Sequence, residues 1–205
     1  MKIACVMITV QELEALKKLT CETGGRSRED IMESAGWAIY TIMTQRYPDL
    51  GKKKIVAICD GSEEGGYGLV FAHFLDENFV DVKILITEKV LEPSTQAKTE
   101  RMRKEIMCKD TGEFLEHLEK ADLVIDASKH MDRSLMEKIN ASSAEIISVE
   151  APSGIDLRKE KIMLPHIDAD LILTMHDIKP ALETLKEKVV ILDLGLADYS
   201  VESET

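Results

Sequence analysis

The glycine-rich segment at residues 59–68 constrains the fold of this chain more than any other part of its sequence. It reads Cys-Asp-Gly-Ser-Glu-Glu-Gly-Gly-Tyr-Gly and follows an apolar strand predicted over 54–59. Because a helix is predicted over 66–77, the segment is a strand-to-helix turn. Such turns bring backbone amides at a helix N-terminus close to a ligand, and in α/β folds they are typical of nucleotide or anion sites. The glycines of the turn are Gly61, Gly65, Gly66 and Gly68.

The turn lacks the usual phosphate-binding patterns. A Walker A sequence ends in Gly-Lys-Ser/Thr, which does not occur here, and the GxGxxG pattern fails because Phe71 stands where its last glycine is needed. Two carboxylates, Glu63 and Glu64, would also repel a phosphate. The turn therefore indicates a nucleotide-type site whose chemistry has been altered.

Short β-type runs alternate with helical runs along the rest of the chain. Two helices are predicted first, over 10–22 and from a cap at Ser27 to about residue 46. The alternation that follows predicts an α/β domain whose mostly parallel central sheet is covered by helices on both faces. The strands are predicted over 54–59, 80–86, 121–126, 144–150, 170–175 and 188–193, and the helices over 66–77, 94–107, 111–119, 132–140 and 179–186.

Composition limits the partners and the location that we expect. The 205 residues suffice for one domain over 1–205, with a polar tail from about residue 198. A net charge of −12 disfavours nucleic acid and anionic membrane surfaces, and no apolar run reaches the roughly 18 residues that span a bilayer. The four cysteines stand singly, which is typical of reduced thiols, so we expect a cytoplasmic protein.

Three segments are predicted to meet at one edge of the sheet, because ligands of open parallel sheets bind beyond the carboxyl ends of the strands. They are the glycine turn, residues 124–127 with the following loop, and residues 148–156. Other interpretations stay open for single residues. Asp126 is equally typical of a helix N-cap or of a turn residue after a strand, and Ser153 of a β-turn. Lys179 is also typical of a surface lysine at a helix start, and the two glutamates of a solvated pair.

Five short elements occur in the order and spacing of a known family. The turn at 60–68 has the length and frame of the family's GPGNNGGDG. The others are Met32-Glu33-Ser34-Ala35-Gly36, Ile125-Asp126-Ala127, Glu150-Ala151-Pro152-Ser153-Gly154-Ile155-Asp156, and Lys179 followed by Asp193-Leu194-Gly195. Together they resemble the YjeF N-terminal domain family, the NAD(P)H-hydrate epimerases.

This resemblance implies a three-layer α/β/α Rossmann-like domain that often forms a homodimer. Enzymes of the family interconvert the R and S epimers of hydrated NADH or NADPH with a potassium ion in the site. By resemblance, the side-chain ligands of the ion would be Glu64, Asp126 and Ser153, and Glu150 would act on the substrate. The expected ligand-binding residues are Gly61, Glu63, Glu64, Gly65, Gly66, Gly68, Lys129, Arg133 and Ser153.

The turn and one loop depart from the family pattern. Glu63 and Glu64 replace two asparagines, which would favour magnesium or calcium over potassium. Tyr67 replaces an aspartate, and residues 128–133 replace the glycine-rich loop that covers the ligand. We expect Tyr67 either to fill part of the ligand space or to act as a new catalytic phenol. The function that follows is an epimerase of weak or altered activity; the alternative is a catalytically degenerate module that binds a ligand or forms a dimeric scaffold.

Overall fold

The structure, a computed structural model, describes residues 7–88 and 91–197, so the polar tail predicted from about residue 198 lies outside it. Its helices lie before, between and after the strands of a parallel sheet. The α-helices are α1 (Val10–Gly24), α2 (Arg28–Arg46), α3 (Glu63–Glu77), α4 (Pro93–Arg101), α5 (Thr111–Leu118) and α6 (Arg133–Asn140). The strands are β1 (Lys54–Cys59), β2 (Asp81–Ile86), β3 (Leu123–Ala127), β4 (Glu145–Val149), β5 (Ile155–Asp156), β6 (Lys161–Ile162), β7 (Leu171–Met175) and β8 (Val189–Leu192).

Six strands form one central sheet in the order β2-β1-β3-β4-β7-β8, and every neighbouring pair in it is parallel. The predicted α/β architecture with a parallel sheet is therefore confirmed. The register places Asp126 beside Ile58 on one side and Ser148 on the other. Since all six strands run the same way, their carboxyl ends form a single edge, and the segments that follow β1, β3 and β4 meet there.

Successive side chains of the strands point to opposite faces of the sheet and are buried in two separate apolar layers. On one face, Ile55, Ala57 and Ile125 pack with the helices α1, α2 and α3. On the other face, Val56 and Val124 pack with α5, α6 and the segment at 180–188. This alternation follows the period of two of a β-strand, and it gives the three-layer arrangement that the family resemblance implied.

Three local features differ from the sequence prediction. The helix predicted over 94–107 ends at Arg101, and a 3-10 turn, Lys104–Ile106, follows it. The helix predicted over 179–186 is a 3-10 helix, Pro180–Lys188. The antiparallel pair of β5 and β6 was not predicted, because strands of two residues leave no periodic pattern in a sequence.

Candidate functional site

A cavity of about 260 Å³ opens at the carboxyl ends of β3 and β4. Its wall combines residues from the start of α3, from the loop after β3, from the segment after β4 and from α1. The charged side chains in the wall are Glu14, Glu64, Lys129, Glu150, Asp156 and Arg158. The rest of the wall is mainly apolar, as is usual for small-molecule sites.

Asp60 joins the glycine turn to the loop that follows β3. It is buried, and its carboxylate accepts hydrogen bonds from the backbone and the hydroxyl of Ser62. The same carboxylate accepts from the backbone nitrogens of Lys129 (2.6 Å) and His130 (3.3 Å). Ser62 in turn caps α3 by accepting from the backbone nitrogen of Gly65 at 3.3 Å. One buried carboxylate therefore holds two parts of the cavity wall at a fixed spacing.

The glycines of the turn have packing roles in this structure. A Cβ on Gly65 would lie 2.1 Å from the backbone oxygen of Asp60, and one on Gly68 would lie 2.4 Å from the Cβ of Ala127. A Cβ on Gly66 would similarly meet a methionine side chain of α2. All three lie inside α3, which begins at residue 63 and not at the predicted residue 66. Their small size lets α3 lie directly on β1 and β3. Gly61 donates its backbone N–H to Glu88 at 3.1 Å.

Asp126 and Ser153 are brought together behind the cavity wall. The carboxylate of Asp126 is fully buried; its Oδ1 accepts from Ser153 Oγ at 2.6 Å, and its Oδ2 accepts from Ser153 N and Ser148 Oγ, each at 2.8 Å. Burial raises the pKa of Asp126 to about 6, and the hydrogen bonds from Ser153 and Ser148 act against the rise. The N-cap interpretation of Asp126 is wrong, because Asp132 caps α6.

A buried ion pair joins Glu150 to Lys179. The ammonium of Lys179 lies 2.6 Å from Glu150 Oε1 and also donates to Thr174 Oγ1 (3.0 Å) and the carbonyl of Met175 (2.5 Å). Lys179 is completely buried, so the surface-lysine interpretation is wrong. Glu150 lines the cavity, and its Oε2 accepts from the backbone nitrogen of Met175 at 2.8 Å. Burial lowers the pKa of Lys179, while Glu150 opposes that shift.

Glu150 also has an unusual backbone conformation. Its φ is 70°, in the left-handed region that residues other than glycine rarely adopt. Such a conformation costs roughly 1–3 kcal/mol and is found most often at functional sites. It turns the chain at the end of β4 and, with the pair to Lys179, fixes the carboxylate at the cavity wall.

The two glutamates of the turn are ion-paired. Glu63 lies 2.8 Å from the ammonium of Lys17 in α1 and 3.5 Å from the guanidinium of Arg28 in α2. Glu64 lies 2.7 Å from the ammonium of Lys129 in the loop after β3. Their side chains are only 16% and 15% exposed, so they are not a solvated pair. Both also stand in the first turn of α3, where the helix dipole favours negative charge.

Tyr67 lies in the apolar core and not in the cavity wall. The residue is 1% exposed, and the ammonium of Lys17 lies 5.6 Å from the centre of its ring. Its hydroxyl is buried and makes no hydrogen bond to the described residues. Burial raises the pKa of Tyr67 well above its usual value, and Lys17 offsets the shift only in part. The ring is inside the protein, but its filling of ligand space stays a prediction.

The predicted ligands of the cation are paired with other groups of the chain. Within residues 7–88 and 91–197, no group of three or more histidine, cysteine, aspartate or glutamate side chains is placed to hold a metal ion. Asp126 and Ser153 are hydrogen-bonded to each other, and Glu64 is bound to Lys129. In these pairings, the three side chains do not fit a potassium, magnesium or calcium ion. Arg133 points elsewhere: its side chain is 74% exposed and pairs with Glu137 along α6 at 2.9 Å.

Of two lysines that hold carboxylates at the site, the sequence left one open and gave the other no role. Lys179 was an element of the family resemblance, with a surface lysine at a helix start as the open alternative. Lys17 lies on the buried face of α1 together with Leu13 and Leu16. Its place on the apolar stripe of a predicted helix was a usable signal, because a buried lysine requires a partner.

Comparison with known proteins agrees with the fold and the order of motifs. A family model described as YjeF-related protein N-terminus matches residues 28–181. The NAD(P)H-hydrate epimerase of Limosilactobacillus fermentum is 27% identical, over 86% of this chain and 88% of its own. The bifunctional NAD(P)H-hydrate repair enzyme Nnr of Dictyoglomus turgidum is 24% identical over 82% of this chain, but the match spans only 34% of that relative.

A solved structure has the same fold. The crystal structure of yeast ynu0 superimposes with a TM-score of 0.75 at 19% identity, over 91% of this chain and 87% of the yeast chain. At this identity the likeness concerns the fold alone. Among the described helices, none is both long and apolar enough to cross a membrane.

Proposed function

Since the chain belongs to the YjeF-related N-terminal domain family, we propose that it binds hydrated NADH or NADPH in the cavity and interconverts the R and S epimers at a low rate. In this proposal residues 1–205 are a single domain. The observation that carries it is the placement of Glu150. Its backbone is in the left-handed region, and its carboxylate is held at the cavity wall by the buried Lys179.

Glu150 is the catalytic residue of this proposal. Epimerisation of a hydrated nicotinamide requires the added hydroxyl to leave as water and water to add back on the other face of the ring. A group at the site must protonate the leaving hydroxyl and take a proton from the returning water. Each oxygen of Glu150 accepts one hydrogen bond from the protein, from Lys179 or from Met175 N, and a carboxylate oxygen has a second lone pair for a substrate proton. Lys179 is a positioning residue, because its ammonium is buried and fully engaged by the protein.

The expected rate is low for two reasons. Tyr67 stands where the family resemblance places an aspartate, and its buried phenol has a raised pKa, which makes it a poor replacement for a carboxylate. The cavity of about 260 Å³ is also smaller than the roughly 300–1,000 Å³ of usual small-molecule pockets. A cavity of this size fits the nicotinamide end of the ligand better than a whole dinucleotide. The proposal includes no metal ion, because the donors do not fit one.

The test is epimer interconversion by the purified chain, followed by chromatography of R and S hydrates. The wild type should convert them slowly, and Glu150→Gln should lower the rate by about 10²–10⁴-fold, the usual contribution of a general acid–base group. Asp156→Asn is the matched control, because Asp156 is a second carboxylate of the same wall. A rate that Glu150→Gln leaves unchanged, or equal losses in both variants, would contradict the role of Glu150.

The alternative function is a binding or scaffold module without turnover. It is favoured by the small cavity and by an exposed aromatic face on α2 and α3. There Trp37 is 54% exposed, and the centre of its ring lies 5.1 Å from that of Phe74 and 5.8 Å from that of Tyr40.

In either case we propose a homodimer that works in the cytoplasm, where free thiols such as Cys21 stay reduced. Sedimentation of the purified chain tests the dimer, and binding of a hydrate without conversion would select this alternative.

A further inference from the structure

Of the three glutamates of the cavity wall, Glu64 and Glu150 each pair with the ammonium of one lysine. Lys129 Nζ lies 2.7 Å from Glu64 Oε2, and Lys179 Nζ lies 2.6 Å from Glu150 Oε1. The two lysines differ in access. Lys179 is completely buried and engaged by three acceptors, whereas Lys129 lines the cavity and its side chain is 47% exposed. Lys129 is therefore a cation that an incoming ligand can reach.

The position and the charge of Lys129 are both fixed by its surroundings. Its backbone nitrogen donates to the buried Asp60 at 2.6 Å, which holds the loop beside the start of α3. Burial alone would favour the neutral amine, but the carboxylates of Glu64, Glu92 and Asp60 outweigh it and raise the pKa of Lys129. The distance of 2.7 Å from Nζ to Glu64 Oε2 keeps the ammonium beside the start of α3.

We propose that Lys129 is the built-in cation of this site and takes the place beside Glu64 that the family resemblance gives to a metal ion. A metal ion bound to Glu64 would lie close to the Lys129 ammonium, and the like charges would repel each other. Ligands therefore enter this cavity without a metal.

The same arrangement explains how an acidic turn accepts an anionic ligand. Glu64 alone would repel a phosphate, but its pair with Lys129 is close to neutral and presents an ammonium to the cavity. Arg158 adds a second positive group to the same wall. This inference rests on the site of the proposed function. Metal binding can be measured without turnover, so a negative result for the role of Lys129 can be distinguished from a lack of epimerase activity.

The experiment measures metal binding by the full chain and by Lys129→Met. Each protein is stripped with a chelator and titrated with potassium, magnesium or calcium chloride at constant ionic strength, in a calorimeter and in thermal unfolding. Wild type should show no saturable heat. In Lys129→Met the carboxylate of Glu64 is unpaired, and the variant should bind a cation. Its Tm should rise by about 5–11 °C at 100 times the dissociation constant.

Two further variants locate the effect. Lys159→Met is the matched control, because Lys159 pairs at 3.1 Å with Asp156, another carboxylate of the wall; it should gain no metal binding. Adding Glu64→Gln to Lys129→Met should abolish the gained binding. Saturable binding by wild type that Glu64→Gln weakens would overturn the proposal, and so would a Lys129→Met variant that gains none.

Discussion

The buried pair of Glu150 and Lys179 provides the sharpest test of the site's energetics. Lys179→Met removes an ammonium that lies 2.6 Å from a carboxylate whose side chain is 6% exposed. At that distance the attraction between unit charges is about 6 kcal/mol for an effective dielectric constant near 20. Most of this attraction offsets the cost of desolvating both groups. The loss on mutation comes from the carboxylate that remains buried without a partner, and it is typically about 3–5 kcal/mol.

Lys179→Met should therefore lower the free energy of unfolding by about 3–5 kcal/mol, which is a large part of the roughly 5–15 kcal/mol of an ordinary domain. Adding Glu150→Gln removes the buried charge. The double variant should recover most of the loss, and keep a deficit of about 1–2 kcal/mol for the acceptors at Thr174 and Met175 that no longer receive a hydrogen bond.

Urea unfolding at pH 7, followed by circular dichroism and fluorescence, measures these differences if the m-values of the variants agree. The quantity of interest is the coupling energy of the double-mutant cycle, which isolates the pair from other effects of each substitution. The reasoning fails if Lys179→Met lies within about 1 kcal/mol of wild type, below the cost of breaking a buried pair. It fails equally if the double variant is as unstable as the sum of the two single variants.

Three other predictions concern single residues of the site. Because burial raises the pKa of Asp126 to about 6, its contribution to stability is present below the unfolded pKa and is lost as pH rises through 6. The free energy of unfolding of wild type relative to Asp126→Asn should therefore fall by about 2 kcal/mol between pH 4 and pH 7, as measured by unfolding curves at pH 4, 5.5 and 7; a constant difference would contradict the shift. Tyr67→Phe removes a buried hydroxyl that makes no hydrogen bond within residues 7–88 and 91–197. Thermal unfolding should show a protein as stable as wild type or more stable by about 1 kcal/mol; a clear loss would contradict this. Gly65→Ala should destabilise by about 3 kcal/mol because its Cβ would meet the backbone of Asp60, whereas Gly51→Ala, with no atom near its Cβ, should unfold at the wild-type midpoint.

The ion pairs of the glycine turn could not be predicted from the sequence. Glu63 and Glu64 are adjacent, and the sequence allowed a solvated pair or a cation site. Their partners Lys17 and Lys129 lie 46 residues before and 65 residues after them. No periodicity connects positions so far apart, so only folding could assign each glutamate its lysine.

The sequence by itself determined the order of strands and helices, the parallel sheet, and the edge where the site would lie. These features depend on local apolar periods and on the rule that links parallel strands through helices. It did not determine the strand order β2-β1-β3-β4-β7-β8, or the burial of Lys179 against Glu150. Burial and ion pairing depend on which distant segments pack together, and a charged residue next to a proline looks the same in a sequence whether it faces water or the core.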